Sequence, residues 1–146
     1  MIHIAGNHQF FYSNLQIALV QLVAENILSE HKKKLKSLSI VLLNDESIRE
    51  LNNETLNHDY YTDIITFDLS ENKFHVETEL YISFDRVKDN AQTYNTSNKK
   101  ELLRVVLHGC LHIAGYGDKS EKEAKEMRQK EDLYINQYLI LSKNDN

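Results

Sequence analysis

The chain has 146 residues, 41% of them hydrophobic and 27% charged, which suits one domain with a buried core. Its net charge of −5 disfavours a protein that coats nucleic acid, but it leaves a local basic groove open. No apolar run reaches the roughly 20 residues of a membrane-spanning helix, and one cysteine excludes an intrachain disulfide. We expect a single cytoplasmic domain over residues 1–146, without a signal peptide.

Hydrophobic periodicity and turn residues predict the first elements along the chain. IHIA, just after Met1, is predicted to be a short strand. An apolar stripe predicts a helix that begins at Ser13 or Asn14 and ends near Ser29. The charged segment HKKKLK is predicted to be a turn, and LSIVLLN, at 38–44, a buried strand.

In the second half of the chain, predicted strands and helices alternate less regularly. A short helix is expected after Asp45, strands are expected at 63–69 and 77–83, and a helix should follow from Asp85 to Tyr94. Two further helices are predicted, one from Ser97 to Gly115 and one from Ser120 to about Leu141. Strands and helices are both grouped and alternating, so the predicted fold class is α+β, with a small mixed four-stranded sheet packed with about five helices.

The most informative stretch is HGCLHIAGYGD, which begins at His108. Residues four apart share one face of a helix, so His108 and His112 can bind the same metal ion. Gly115 can end the helix, Gly117 allows a second bend, and Asp118 can then return as the third ligand. Three protein ligands leave a fourth position for water, as in catalytic zinc sites, where the pKa of that water falls to about 7.

Two other interpretations of this stretch stay open. The spacing is that of metzincin peptidases, but the Glu that serves them as general base is replaced here by Gly109. Alternatively, the histidines lie at an exposed helix end, where the helix dipole favours a positive charge. Cys110 is two residues from His108 and points to another face, so we expect it in the core rather than on the metal.

With its flanks, the stretch resembles the YbeY family of bacterial rRNA-maturation endoribonucleases. The family pattern R-V-x-x-H-G-x-L-H-L-x-G-Y-D-H corresponds to RVVLHGCLHIAGYGD, and YYTDIITFDL, ELYIS and MRQKED resemble three other family segments. The resemblance covers roughly residues 38–132. It implies an α+β domain with a four-stranded sheet, one zinc ion per chain, and cleavage of single-stranded rRNA during small-subunit maturation and quality control.

This sequence departs from the family pattern at two functional positions. The third ligand is usually His in the family and is Asp118 here. An arginine that the family uses in RNA cleavage falls near Leu56, where the nearest cationic candidate is His58. A second function therefore stays open, a ribosome-maturation RNA-binding factor with a structural or vestigial metal and little catalysis. A metallopeptidase is disfavoured because Gly109 cannot accept a proton.

Arg104 is the candidate substrate-binding residue. It precedes His108 by four residues, so its guanidinium can clamp a scissile phosphate beside the metal. The alternatives are a salt bridge on the helix surface or a contact to Asp118. No general base can be identified from the sequence beyond the metal-bound water.

Other residues are weaker candidates for RNA contact. HKKKLK and the pair Lys99–Lys100 can follow an RNA backbone or simply be solvated. Tyr60, Tyr61 and Phe67 can stack on unpaired bases or belong to the core. We expect Asp63 to orient a metal-bound histidine.

Overall fold

The computed structural model describes residues 1–58 and 62–144. Four strands and six helices are found within these residues. In chain order they are β1 (Ile2–Gly6), α1 (His8–Asn14), α2 (Ile17–Ser29), β2 (Lys34–Leu43), α3 (Asp45–Leu56), β3 (Ile64–Asp68), β4 (His75–Ser83), α4 (Phe84–Thr93), α5 (Asn98–Ala114) and α6 (Glu121–Asn144).

The strands form one mixed sheet in the order β1-β2-β4-β3. β1 and β4 both run parallel to β2, so Ile40 in β2 lies between Ile4 and Leu80. β3 closes the other edge and runs antiparallel to β4. The predicted α+β fold with a small mixed four-stranded sheet is confirmed.

One face of the sheet is buried beneath helices. Leu38, Ile40 and Leu42 alternate along β2, and each is at most 1% exposed. Leu80 and Ile82 continue this apolar surface on β4. Side chains on the same side of a strand recur every second residue, so these five residues form one continuous surface against which the helices pack.

The structure differs from the prediction in its N-terminal third. The helix expected from Ser13 or Asn14 to Ser29 corresponds to α2. Helix α1 precedes it and was not predicted, which makes six helices in the described residues instead of about five. The Asn7 side chain begins α1 early, because its Oδ1 accepts a hydrogen bond from Phe10 N at 3.1 Å. Leu15 then takes an extended conformation that separates the two helices.

The charged segment HKKKLK is only partly a turn. Lys34 already belongs to β2, where it pairs with His75 of β4, and its backbone N–H donates to Phe74 O at 2.7 Å. Backbone pairing outweighs the run of charge here, because the lysine side chains can extend into solvent from a strand. Within the part of the chain described, none of the helices combines the length and apolar character needed to cross a membrane.

Helix α5 lies unusually close to the sheet. A Cβ atom added at Gly109 would lie 2.8 Å from Leu80 Cδ2 and 3.0 Å from Ile64 Cδ1. Residue 109 therefore points into the sheet and not toward the side chain of His108. This packing explains why the position that carries the general base in metzincins has no side chain in this protein.

We expect Gly109→Val to destabilise the protein by about 1–3 kcal/mol, because the added carbons overlap side chains that are already buried. Urea unfolding of the variant and of the unmodified protein measures the difference. Adding Leu80→Ala should recover part of the loss, since it opens the space that the valine needs. Strictly additive losses would show that Gly109 is not in contact with Leu80.

Candidate functional site

Both ends of helix α5 are set by local sequence. Ser97 Oγ accepts a hydrogen bond from Lys100 N at 3.0 Å and caps the first turn. At the other end Gly115 has a φ of +120°, and its N–H bonds to the carbonyls of Leu111 and His112. Tyr116 N also donates to Leu111 O, so the chain turns back toward the helix as predicted.

This turn brings two of the three predicted metal ligands together. His108 Nε2 lies 3.3 Å from Asp118 Oδ2. His112, one turn later, has its Nδ1 3.1 Å from the carbonyl oxygen of Tyr116. Within residues 1–58 and 62–144, no three His, Cys, Asp or Glu side chains are gathered closely enough, as they stand, to hold a metal ion. The assignment of His108, His112 and Asp118 as ligands stays a prediction.

The hydrogen bonds of the two histidines fit a metal site in their chemistry. His108 Nδ1 lies 2.7 Å from Glu131 Oε2, and His112 Nδ1 lies against a backbone carbonyl. When the rings are neutral, these acceptors at Nδ1 favour the tautomer with the N–H there, which leaves the Nε2 lone pair available, as in zinc-binding histidines. The short distance between His108 Nε2 and the Asp118 carboxylate needs a shared cation or proton, so the residues present fit a divalent metal ion.

Glu131 is the residue that sequence reasoning missed. Its side chain is only 6% exposed and lies on α6, between His108 and Arg104. The available signal was the spacing of Met127 and Glu131 in MRQKE, which puts both on one helical face. Met127 and Glu131 are both buried, so this shared face was a signal that Glu131 lies toward the core.

Arg104 is engaged by two carboxylates. Its Nη1 donates to Glu131 Oε1 at 2.9 Å, and its Nη2 donates to Asp132 Oδ1 at 2.8 Å. These contacts correspond to the salt-bridge alternative for this residue. Arg104 also lines the cavity that contains His108, so a phosphate contact through its other N–H groups stays a prediction.

A cavity of about 560 Å³ lies beside this cluster. It is open to solvent and combines titratable side chains with one exposed aromatic ring, that of Tyr94. Its walls come from α5, α6, the segment between α4 and α5, the residue before β3 and the turn after α5. The lining residues are Asp63, Tyr94, Thr96, Lys100, Glu101, Arg104, Val105, His108, Asp118, Ala124, Met127, Arg128 and Glu131.

Burial changes the acidity of two carboxyl groups in this cavity. Burial raises the pKa of Asp63, although the nearby His108 opposes the shift. Burial also raises the pKa of Glu101, against the attraction of Arg104. Asp63 was expected to orient a metal-bound histidine, but the carboxylate in direct hydrogen-bond contact with His108 is that of Glu131. Carboxyls with raised pKa values in a cleft are typical of sites that exchange protons.

The residues that line the cavity do not include Cys110, Phe67 or Leu56. Cys110 is buried as predicted, and burial raises its pKa to about 12, so the thiol stays protonated and does not act as a ligand. Phe67 packs edge to face on Tyr81 in the sheet. Tyr60 and Tyr61 lie outside the described residues. Leu56, near the position of the expected arginine, is the last residue of α3 and is 47% exposed.

We expect His108 of the metal-free protein to titrate above the ordinary histidine value of 6.5. Its pKa is raised mainly by the hydrogen bond to Glu131, with burial acting in the opposite direction. Because the folded pKa is raised, the stabilisation from the charged ring is complete below about pH 6.5 and is lost as pH rises through the folded pKa. NMR titration of the imidazole, together with unfolding at several pH values, measures both effects. A His108→Gln variant should lose this component of the pH dependence. A His108 that titrates below 6.5 would show that burial outweighs the hydrogen bond to Glu131.

Comparison with known proteins agrees with the family resemblance and with the fold. The family described as Endoribonuclease YbeY matches residues 5–139. An Endoribonuclease YbeY of Cytophaga hutchinsonii is 46% identical over 124 residues, which cover 85% of this chain and 87% of the relative. That of Flavobacterium johnsoniae is 39% identical over 135 residues, covering 92% and 95% of the two chains.

A solved structure extends the likeness to three dimensions. The solution structure of TM1509 from Thermotoga maritima superposes with a TM-score of 0.67 at 30% identity, covering 99% of this chain and 93% of that one. The fold found here is therefore shared with a protein solved by experiment. The extent of the family match and the identity to curated relatives show that this chain belongs to the YbeY family of endoribonucleases.

Proposed function

We propose that the protein is a zinc-dependent, single-strand-specific endoribonuclease that acts on rRNA during small-subunit maturation and ribosome quality control. The observation that carries the proposal is the contact of His108 Nε2 with Asp118 Oδ2 at the wall of a cavity that also holds cationic side chains. Membership of an endoribonuclease family supplies the reaction class. Ribosomal RNA and the small subunit as partners, and a cytoplasmic location, belong to this proposal.

His108, His112 and Asp118 are the proposed ligands of one zinc ion per chain. Zinc would act there as a Lewis acid toward the phosphodiester and would make water a better nucleophile. The hydrogen bond from His108 to Glu131 keeps the Nε2 lone pair available, and Tyr116 O does the same for His112. Asp118 supplies an oxygen ligand, which zinc accepts.

The RNA strand is proposed to lie in the cavity beside these ligands. Lys100 and Arg128 line it and can neutralise two backbone phosphates. The Tyr94 ring is 69% exposed at the same cavity, where an unpaired base can stack on it. Arg104 remains the proposed contact for the scissile phosphate through N–H groups not engaged by Glu131 or Asp132. A base-paired strand has no unstacked base to offer Tyr94, which favours single-stranded substrates.

Asp63 is the proposed proton acceptor. It lines the cavity, and its electrostatic interaction with His108 places it near the proposed metal ligands. Burial raises its pKa, which moves its carboxylate toward the basicity that proton transfer at neutral pH requires. Gly109 cannot perform this role, and a peptidase mechanism of the metzincin type therefore lacks its base.

A second function is favoured by one observation. The position near which the family arginine is expected carries Leu56, whose side chain is 47% exposed at the end of α3. Without that cation the protein would bind rRNA as a maturation factor with a vestigial metal and cleave it slowly. Cleavage and binding measured on the same RNA separate the two functions.

We expect the purified protein to cleave unpaired rRNA fragments, and a chelator to stop this cleavage while casein stays intact with or without chelator. His108→Ala and Asp118→Ala should each lower zinc content and reduce cleavage at least 100-fold, because each removes a metal ligand. Mass spectrometry under native conditions gives the zinc stoichiometry. Tyr12→Ala, at an exposed position of α1, is the matched control. RNA binding without cleavage in the zinc-loaded protein would support the second function instead.

We expect the double variant Lys100→Gln, Arg128→Gln to bind RNA several-fold more weakly. Each lost phosphate contact should also reduce the dependence of log K on log salt by about 0.7. Fluorescence anisotropy with a short single strand at several salt concentrations measures both. The variant Lys34→Gln, Lys36→Gln removes equal charge from β2 and should bind as tightly as the unmodified protein. The opposite ranking would move the RNA path to the HKKKLK segment.

A further inference from the structure

We propose that the Arg104–Glu131 pair positions His108, in that Glu131 fixes which nitrogen of the ring carries the proton and Arg104 holds the Glu131 carboxylate in place. The inference rests on the proposed function, because it concerns the proposed ligand His108. Each carboxylate oxygen of Glu131 contacts a different side chain. Oε1 accepts from Arg104 Nη1 at 2.9 Å, and Oε2 lies 2.7 Å from His108 Nδ1.

The two side chains that contact Glu131, those of Arg104 and His108, differ in whether they can accept a hydrogen bond. A guanidinium has donors only, whereas a neutral imidazole can donate or accept at either nitrogen. An ionised carboxylate satisfies both neighbours at once, because it accepts on both oxygens. His108 must then donate from Nδ1, and its Nε2 is left as the acceptor that a metal ion requires.

Asp118 competes for the same proton from the other side of the ring. Its Oδ2 lies 3.3 Å from His108 Nε2, and its side chain is 44% exposed. Glu131 is closer to its nitrogen and only 6% exposed, so its hydrogen bond is the stronger one. The Nδ1–H form therefore prevails, and Asp118 remains free to bind the same cation as His108.

Glu131→Gln tests this arrangement because a glutamine offers one acceptor and one donor. Arg104 can only donate, so the amide oxygen must turn toward it, and Arg128 Nε at 3.9 Å favours the same orientation. The amide NH₂ group then faces His108 Nδ1, which has to accept. The proton moves to Nε2, and the ring loses the lone pair that faces Asp118.

Removing the donor of the pair should reverse this effect. With Arg104→Met next to Glu131→Gln, the amide can rotate and present its oxygen to His108 Nδ1. The double variant should then bind zinc more tightly than Glu131→Gln alone. The zinc Kd of Arg104→Met alone should stay within a few-fold of the zinc Kd of the unmodified protein. A residue needed only for stability would give losses that accumulate, so this recovery distinguishes positioning from structural support.

The experiment combines two measurements on each variant after thermal unfolding has shown that it folds. Imidazole ¹⁵N shifts of the metal-free protein, at a pH well above the pKa of His108, report the tautomer. Competition with a chromogenic chelator gives the zinc Kd. We expect Glu131→Gln to change the tautomer and weaken zinc binding about 10- to 100-fold, and the double variant to recover part of both. Asp132→Asn, which alters the other carboxylate on Arg104, should change neither.

Two results would overturn the inference. One is a Glu131→Gln protein that keeps the Nδ1–H form and the original zinc Kd. The other is a folded double variant no better than Glu131→Gln. Failure of the proposed function is distinguishable, since a chain that binds no zinc or cuts no RNA still reports the His108 tautomer in the metal-free state. An Arg104 that also contacts phosphate would show a raised KM for RNA at saturating zinc, with the zinc Kd little changed.

Discussion

The carboxylate of Glu131, buried between α5 and α6, links the packing of these two helices to the orientation of side chains in the candidate site. A buried carboxylate is tolerated only where charged or polar hydrogen-bond donors surround it. Here Arg104 and His108, both on α5, supply those donors to an acid on α6. The same hydrogen bonds therefore hold the two helices together and orient the imidazole of His108. A change in the packing of α6 would alter the chemistry of His108 without any contact to substrate.

A second constraint sets the position of α5 itself. Gly109 lets the helix approach Leu80 and Ile64 so closely that an added Cβ would force their side chains to shift. Successive residues on a helix are about 100° apart, so the residue that meets the sheet leaves His108 directed toward α6 and the cavity. The absence of a side chain at 109 and the direction of the ring at 108 thus have the same origin. A glutamate at 109 would require either a shift of the Leu80 and Ile64 side chains or a wider separation between helix and sheet.

The sequence predicted the features that depend on local spacing. The capping of α5 at Ser97, its end at Gly115 and the return of Asp118 to His108 all follow from hydrogen bonding within a few residues. The role of Glu131 did not follow from local spacing. Glu131 is 23 residues from His108, and their contact depends on how α6 docks against α5. Helix α1 was also missed, because this short helix lies before the apolar stripe that predicted α2 and depends on the cap at Asn7. Long-range docking and competing caps are the points at which periodicity alone fails.

The charge of the cavity would give the proposed metal ion a second role besides chemistry. Among the described residues that line it, four carboxylic acids (Asp63, Glu101, Asp118 and Glu131) stand against three cations (Lys100, Arg104 and Arg128), a formal balance of −1 with His108 neutral. A polyanion is not attracted to such a surface, least of all on a chain whose net charge is −5. A bound divalent ion would change the balance to +1. Burial raises the pKa values of Asp63 and Glu101, and protonation of either would shift the balance in the same direction. Metal and RNA would therefore favour each other's binding, and this reciprocity follows from the charges alone.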